Sequence, residues 1–296
     1  MPTVRDYITE ILEPTILINT FIALGALGAA LHYGKASLWV ALLCVAGVAL
    51  AQVAVNLVDD YVDFTTGLDN DTVKTKFSGG SGLVVSGRVK AGHVLAIGTL
   101  AAAAAACIGV YLAYSVTMAV LPWVAVGAVA IFLYAGYATK IPFLAEPFAM
   151  MSFVSVGIGS FIAISGNSPT WAMAAYGLVP AGMMGGIALL VNNVPDRAAD
   201  RKHGRRSGVV MLWKPRRIAA YYAVCEAVAY LLVLAGVASG SLPLTLLATL
   251  ITAPIALKVF NGISSYRSPA AYERYMGMNV VGAFAFMLIV AMAFAV

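Results

Sequence analysis

The sequence carries very little charge. Only 10% of its 296 residues are Asp, Glu, Lys or Arg, whereas 61% are hydrophobic. Soluble domains carry charge on about a quarter of their residues, and a soluble fold with so few charges would expose large apolar patches to water. This scarcity argues against an ordinary soluble domain and indicates that a lipid bilayer surrounds most of the chain.

Cysteine is equally scarce. The three cysteines, Cys44, Cys107 and Cys225, all lie inside apolar stretches. Their spacing matches neither a zinc site nor a disulfide framework, so we interpret them as small apolar packing residues. The apolar stretches also lack the alternation of polar and apolar residues that is typical of membrane β-barrels.

Long apolar runs take the place of charge. About 20 residues of α-helix span the hydrocarbon core of a bilayer. Helices are expected because lipid offers no water to unpaired backbone groups. We therefore predict an all-α, polytopic membrane protein with nine transmembrane helices, at residues 15–33, 37–58, 92–113, 117–136, 147–166, 170–193, 217–237, 242–260 and 276–296.

The basic residues predict the orientation of these helices. With the N-terminus in the cytosol, 17 of the 18 Lys and Arg residues fall on the cytosolic side, and only Lys35 lies outside. The positive-inside rule therefore favours a multi-pass plasma-membrane protein with its charged loops in the cytosol and its C-terminus outside. The net charge of +5 reflects this topology and an attraction to anionic membrane lipid. We expect no nucleic acid partner, because the basic residues are spread over several loops.

The first of two acidic clusters follows the second apolar run. If that helix continues through Asp63, then Asn56, Asp60 and Asp63 are spaced at i, i+4 and i+7 and share one helical face, with Asp59 beside them. Several carboxylates on one face repel each other unless water or a cation neutralises them. Hard oxygen ligands of this kind suit Mg²⁺, which also bridges to substrate phosphate oxygens.

The second acidic cluster follows the sixth apolar run. Asn192, Asp196 and Asp200 repeat at i, i+4 and i+8, which predicts a single helical face, and Pro195 is expected to kink this helix near its end. Basic residues follow directly and can pair with phosphate oxygens. Together, the two clusters predict two metal–carboxylate sites that face each other and form a receptor for a diphosphate.

The spacing of the two clusters suggests an internal repeat. They follow runs that lie four helices apart, which predicts two related four-helix halves, at about 15–136 and 147–260, and an additional ninth helix. We treat residues 1–296 as one domain.

The two clusters resemble a known family. The pattern N-x-x-D-D-Y-x-D-F-x-x-G-x-D-N at 56–70 and the pattern N-N-x-x-D-x-x-x-D-R-K-x-G-R-R at 192–206 are similar to the two signature motifs of the UbiA superfamily of intramembrane prenyltransferases. Within it, the motifs resemble the menaquinone branch, the 1,4-dihydroxy-2-naphthoate polyprenyltransferases. The Gly-rich segment 78–82, the Ser86-Gly87-Arg88 sequence, Tyr134 and Glu146 also resemble this family.

This resemblance implies a helical bundle around a central cavity, with cap loops on the cytosolic side. It implies Mg²⁺ as the cofactor, and a polyprenyl diphosphate and an aromatic acid acceptor as partners. The metal ligands would be Asp59, Asp60, Asp63, Asp196 and Asp200, and all of these except Asp59 are also expected to be catalytic. Substrate would be bound by Asn56, Asn192, Asn193, Lys202, Arg205, Arg206, Arg88, Lys140 and Tyr134.

Other functions remain open from the sequence. The acceptor could instead be 4-hydroxybenzoate, homogentisate, a glycerol-phosphate lipid or a sugar phosphate. A membrane transporter also places acids within its spans, although the acids here cluster at one face and the outer loops are nearly uncharged. A third alternative is a family member that has lost catalysis and binds a lipid or quinone.

Overall fold

The computed structural model describes residues 3–12 and 15–295, and these residues form helices and connecting loops without any β-strand. This confirms the predicted all-α class. Val296, the last residue of the predicted ninth span, lies outside the described residues.

Thirteen α-helices succeed one another along the described chain. They are α1 (Val4–Ile11), α2 (Ile16–His32), α3 (Leu38–Thr66), α4 (Leu68–Asp71), α5 (Ala91–Ser115), α6 (Leu121–Leu133), α7 (Ala145–Ile164), α8 (Trp171–Asn192), α9 (Arg197–Lys202), α10 (Gly208–Leu212), α11 (Pro215–Ala238), α12 (Ala253–Ser264) and α13 (Pro269–Ala295). Three short segments are 3₁₀-helical: Met118–Val120 before α6, Ala138–Lys140 after α6 and Leu244–Thr252 before α12.

Seven helical segments among the described residues are long and apolar enough to cross a membrane: α3, α5, α7, α8, α11, α13 and the segment Leu244–Ser264. An eighth is added if α1 and α2, which meet at an angle of 45°, form one broken span. The helical segment Met118–Leu133 is apolar but shorter. Each of the nine predicted runs is largely helical, but the count of nine membrane crossings is not confirmed.

Helix α8 lies at the centre of the larger part of the bundle and packs against α2, α7, α11 and α13. Close packing against α7 requires a residue without a side chain, because a β-carbon at Gly182 would lie 2.6 Å from the backbone of Val154. Small residues commonly permit such close contacts between membrane helices. Helix α3 packs most extensively against α5 and, with it, encloses a separate apolar core.

The two acid-bearing helices end differently. Helix α3 continues through Asp63, as predicted, and ends at Thr66, where Gly67 adopts the left-handed conformation that is typical of a helix C-terminus. The predicted kink at Pro195 is a complete break, because α8 ends at Asn192 and a new helix begins at Arg197. The predicted single helical face for Asn192, Asp196 and Asp200 is therefore wrong. Pro195 explains the break, since it lacks a backbone N–H and disfavours helical geometry at the residue before it.

Candidate active site

The first acidic helix end presents four carboxylates. Asp59, Asp60 and Asp63 lie in the last turns of α3, and Asp69 follows in the short helix α4. Asp59 Oδ1 is buried and has no hydrogen-bond partner among the residues that the structure describes. Because buried polar atoms normally have partners, this oxygen is a candidate ligand atom.

The Gly-rich segment 78–82 lies directly over these acids. Gly80 has a φ of +61°, and a β-carbon built there would lie 3.3 Å from Asp60 Oδ1 and 3.7 Å from Asp69 Oδ1. The backbone therefore approaches the carboxylates as closely as only glycine allows. At the start of this segment, Ser78 Oγ donates a hydrogen bond of 3.4 Å to Asp196 Oδ1 and so connects the segment to the second cluster.

The second acidic end is built from the break after α8. The backbone N–H of Asp200 donates to the carbonyl oxygen of Asp196 at 2.9 Å, in the first turn of α9. Asn193 caps the C-terminus of α8. Asn192 Oδ1, like the Asp59 oxygen, is buried without a hydrogen-bond partner in the described part of the chain.

Arg205 joins the two acidic ends. Its guanidinium donates to the Asp63 carboxylate at the end of α3 and to Asp200 Oδ1 on α9, the latter at 3.4 Å. All three side chains are largely buried, with 15% of Arg205, 13% of Asp63 and 4% of Asp200 exposed. The acids that the sequence places 137 positions apart (63 and 200) thus share one cation.

The backbone around Arg205 is held by two other segments. The N–H of Arg206 donates to the carbonyl oxygen of Thr139 at 2.6 Å. The fully buried Glu146, at the start of α7, accepts hydrogen bonds from the N–H groups of Gly208 at 2.8 Å and Val209 at 3.1 Å. These contacts fix the loop that carries Arg205 toward the acids.

The site has more negative than positive charge. Burial raises the pKa of Asp196 to about 7, and the charge of Asp200 acts in the same direction. Burial also raises the pKa of Asp200 to about 6, although Arg205 opposes this shift. For Asp69, burial and the charges of Asp59 and Glu10 raise the pKa to about 6. Burial lowers the pKa of Arg205, but the surrounding carboxylates outweigh it and raise the pKa overall.

The ligand chemistry of the site fits Mg²⁺. In the part of the chain that the structure describes, no three acidic, His or Cys side chains lie close enough to hold one ion by themselves. Mg²⁺ does not need such a cage, because it is commonly held by one or two carboxylates and completes its shell with water and phosphate oxygens. The two unbonded oxygens of Asp59 and Asn192 and the surplus negative charge are consistent with this mode.

Of the residues predicted to bind substrate, Arg205 and Tyr134 lie at the acids. Tyr134 is close enough to Asp59 and Arg205 to interact with their charges. Lys202 lies at the rim and donates to Asp71 Oδ1 at 2.7 Å.

The remaining predicted substrate residues have other contacts. Arg88 is paired with Asp6 of α1 and is not brought to the acids. The side chains of Lys140 and Arg206 are exposed. Asn56 donates to Thr15 Oγ1 at 2.7 Å and accepts from Gln52 at 2.8 Å, within a polar ladder between α2 and α3.

The sequence predictions missed several residues that the structure brings to the site. Asp71 accepts from Lys202 and lies 2.6 Å from His203 Nε2. Lys74 lies against the Gly-rich segment, since a β-carbon at Gly82 would fall 1.5 Å from its ammonium nitrogen. The acids at 69 and 71 in the first motif were the only sequence signal for these contacts.

Comparison with known structures shows the same fold in other membrane proteins. A UbiA homologue from Aeropyrum pernix K1 is 20% identical, with a TM-score of 0.72 over 95% of this chain and 100% of that chain. A digeranylgeranylglyceryl phosphate synthase is 12% identical, with a TM-score of 0.66 over 99% and 98%. A UbiA homologue from Archaeoglobus fulgidus bound to GPP and Mg²⁺ is 13% identical, with a TM-score of 0.59 over 94% and 96%.

Sequence comparison identifies the family. No functionally curated protein matches the chain. The profile of the UbiA prenyltransferase family, however, matches residues 19–281, which include both acidic helix ends, the Gly-rich segment and Arg205. The chain therefore belongs to the UbiA prenyltransferase family and is a membrane prenyltransferase.

Proposed function

We propose that this enzyme transfers a polyprenyl group from an allylic diphosphate to 1,4-dihydroxy-2-naphthoate, with Mg²⁺ as the cofactor, in menaquinone biosynthesis. The observation that carries the proposal is the meeting of the two acidic helix ends around Arg205. Asp63 and Asp200 share Arg205, so the site retains negative charge that a metal ion can neutralise. Such a site suits a diphosphate that binds together with Mg²⁺. The Archaeoglobus fulgidus homologues bound to GPP or DMAPP with Mg²⁺ provide a precedent within the same fold.

The metal would be held by carboxylates from both helix ends. When bound, Mg²⁺ supplies Lewis-acid stabilisation of the negative charge on the departing diphosphate. Arg205 is the protein group best placed to add a fixed positive charge, because its guanidinium already lies between the two ends. Such preorganised charges lower the barrier to leaving-group departure. We assign ligand roles to Asp59, Asp60, Asp63, Asp196 and Asp200, with Asn192 as an additional oxygen donor.

The reaction we propose conserves atoms and charge as follows. The bond between the allylic carbon and the diphosphate oxygen breaks, and its electron pair leaves with diphosphate. The electron-rich naphthoate ring attacks the allylic carbon through the ring carbon that bears the carboxylate and forms the new carbon–carbon bond. The carboxylate is then lost from that carbon as CO₂, and the electron pair of the broken bond returns to the ring and restores its aromaticity. The protein contributes by stabilising the leaving group and excluding water from the allylic cation.

An apolar cavity suits the isoprenoid tail of the donor. A cavity of about 130 Å³ lies between α3, α5, α6 and α7 and is lined mostly by small and aliphatic residues. One of these, Ala51, precedes Asp59 by eight residues on α3, or about 12 Å along the helix axis. A tail whose diphosphate lies at the acids can therefore run alongside α3 into this cavity.

The charge distribution supports a cytosolic location for the active site. The acids and the loops that cover them lie among most of the basic residues, which the positive-inside rule assigns to the cytosol. We therefore propose a multi-pass plasma-membrane enzyme with nine crossings, a cytosolic N-terminus and an external C-terminus.

The proposal is tested by product analysis. Purified enzyme is incubated with Mg²⁺, allylic diphosphates of several lengths and a panel of acceptors: 1,4-dihydroxy-2-naphthoate, 4-hydroxybenzoate, homogentisate and a glycerol-phosphate lipid. Mass spectrometry should detect a decarboxylated prenyl naphthoquinol. A product from another acceptor would replace the naphthoate assignment, and no product with any acceptor would refute the proposal.

Two substitutions test the site itself. Asp60→Asn and Asp196→Asn remove one charge from each acidic end with little change of shape, and each should abolish transfer without unfolding the protein. Glu273→Gln is the matched control, because among the described residues this acid on α13 forms an ion pair with exposed Lys76 alone, at 3.8 Å. Normal turnover by both aspartate variants would contradict the assigned roles.

A further inference from the structure

Helix α1 has an inverted distribution of polar and apolar side chains. Its acids are buried, with Asp6 3% and Glu10 1% exposed. Val4, Ile8 and Leu12, spaced every four residues along its other edge, are 77%, 50% and 66% exposed. An outward apolar edge suits a helix that lies on a membrane surface, and it leaves the acidic edge facing the protein.

The acidic edge of α1 contacts the segment that begins with the Gly-rich loop. Asp6 is paired with Arg88, and Tyr7 forms a hydrogen bond of 2.7 Å with His93 Nδ1. Glu10 Oε2 accepts a hydrogen bond from Ser81 Oγ. Three side-chain contacts, from Asp6, Tyr7 and Glu10, therefore hold α1 against residues 81–93.

The contact of Glu10 leads directly to the active-site acids. Ser81 follows Gly80, the residue whose backbone approaches Asp60 and Asp69. The charge of Glu10 also acts on Asp69. The second carboxylate oxygen of Glu10, Oε1, is buried and finds no hydrogen-bond partner within residues 3–12 and 15–295. Burying a carboxylate costs free energy, which the hydrogen bond from Ser81 to Glu10 offsets in part.

We propose that Glu10 is a positioning residue for prenyl diphosphate binding. Its hydrogen bond with Ser81 holds the neighbouring Gly80 against Asp60 and Asp69. Glycines allow the segment many backbone conformations when it is not held. A hydrogen bond to a charged acceptor is stronger than one between neutral groups and restricts that freedom. Fixing the segment also fixes Lys74, whose ammonium nitrogen lies against Gly82. The inference rests on the proposed function, because it concerns the donor-binding step of that reaction.

Kinetic analysis of Glu10→Ala, Glu10→Gln and Ser81→Ala tests this role. Glu10→Ala should raise KM for the prenyl diphosphate about tenfold, the equivalent of about 1.4 kcal/mol, with kcat and the acceptor KM little changed. This pattern is expected when binding is lost equally from the ground and transition states. Glu10→Gln retains an acceptor oxygen and should show a smaller increase. The double variant Glu10→Ala/Ser81→Ala should show the same increase in KM for the prenyl diphosphate as Glu10→Ala alone.

A second measurement separates this inference from the proposed function. Hydrogen exchange of the full-length enzyme without substrate should show faster exchange of the amides at 79–83 in Glu10→Ala, and no change in the control Glu273→Gln. If wild-type enzyme transfers no prenyl group, the proposed function fails, and the exchange result still decides whether Glu10 holds the segment. Unchanged exchange, additive effects of the two changes on KM, or a lower kcat with unchanged KM would each overturn the role of Glu10.

Discussion

Replacement of Arg205 by alanine should destabilise the protein strongly in the absence of divalent metal. The change removes the shared cation from two largely buried carboxylates, Asp63 and Asp200. Removal of one partner from a buried ion pair typically costs about 3–5 kcal/mol, because the remaining charge is left uncompensated. We expect about 3 kcal/mol here, since a buried carboxylate can reduce its cost by taking up a proton.

The size of this effect should depend on pH. With Arg205 present, burial raises the pKa of Asp200 to about 6, although Arg205 opposes this shift. Arg205→Ala removes that opposing charge, so Asp200 should stay protonated to a higher pH in the variant than in the wild type. The destabilisation should therefore be smallest below pH 6, where Asp200 is protonated in both proteins, and should grow as the pH rises above 6.

The assay is the unfolding temperature of purified protein in detergent, measured with EDTA and with Mg²⁺ plus pyrophosphate. Mg²⁺ should restore part of the lost stability, because it supplies the positive charge that the acids have lost. Arg206→Ala is the matched control, since its side chain is exposed and should change the unfolding temperature little. An equal loss with and without Mg²⁺, or no loss at any pH, would refute this account of the site.

Three further predictions follow from the same geometry. Glu146→Gln should lower the free energy that holds the Arg205 loop in place by about 1.5–3 kcal/mol, the contribution of a hydrogen bond to a charged group. Amide hydrogen exchange at 205–209 should become faster, and unchanged exchange would show that Glu146 does not hold this loop. Gly127→Phe, which adds a side chain where the cavity leaves open space, should reduce turnover of long donors more than of short ones, whereas Gly92→Phe outside the cavity should reduce neither selectively. Because the pKa values of Asp196 and Asp200 are raised to about 7 and about 6, Mg²⁺ must displace protons from them. Its affinity, measured by titration calorimetry, should rise as the pH increases from 6 to 7, and a pH-independent affinity would contradict their role as ligands.

The helices and the acidic ends were predictable from the sequence because they depend on local patterns. Most apolar runs predicted helices within a few residues of their observed limits, although α3 continues to Thr66 and α13 begins already at Pro269. The i, i+4, i+7 spacing placed Asp60 and Asp63 on a helix that does continue. The break before Arg197 is larger than the predicted kink, because the acidic spacing favoured a single helical face, whereas the backbone restriction of Pro195 ends the helix. The two related four-helix halves remain a prediction.

The partners of the charged side chains were less predictable, because they come from distant segments. Arg88 was expected at the diphosphate, but Asp6, 82 positions earlier, is its partner. Asn56 was expected to bind substrate, but Gln52 and Thr15 occupy its amide. Helical periodicity accounts for the Gln52–Asn56 pair, which is spaced i, i+4 on α3. It does not encode the Arg88–Asp6 and Asn56–Thr15 pairs, which depend on how distant segments are placed against each other.

The position of Arg205 has a consequence for substrate binding. Its two partners, Asp63 and Asp200, are also proposed metal ligands, so Arg205 and a bound metal would compete for the same carboxylates. When Mg²⁺ and diphosphate bind, the metal would neutralise the acids, and phosphate oxygens would offer the guanidinium a bidentate partner. Arg205 would then exchange carboxylate for phosphate without leaving the site. Lysine would replace the charge but lacks the planar fork that bridges two partners, so Arg205→Lys should preserve more stability than activity.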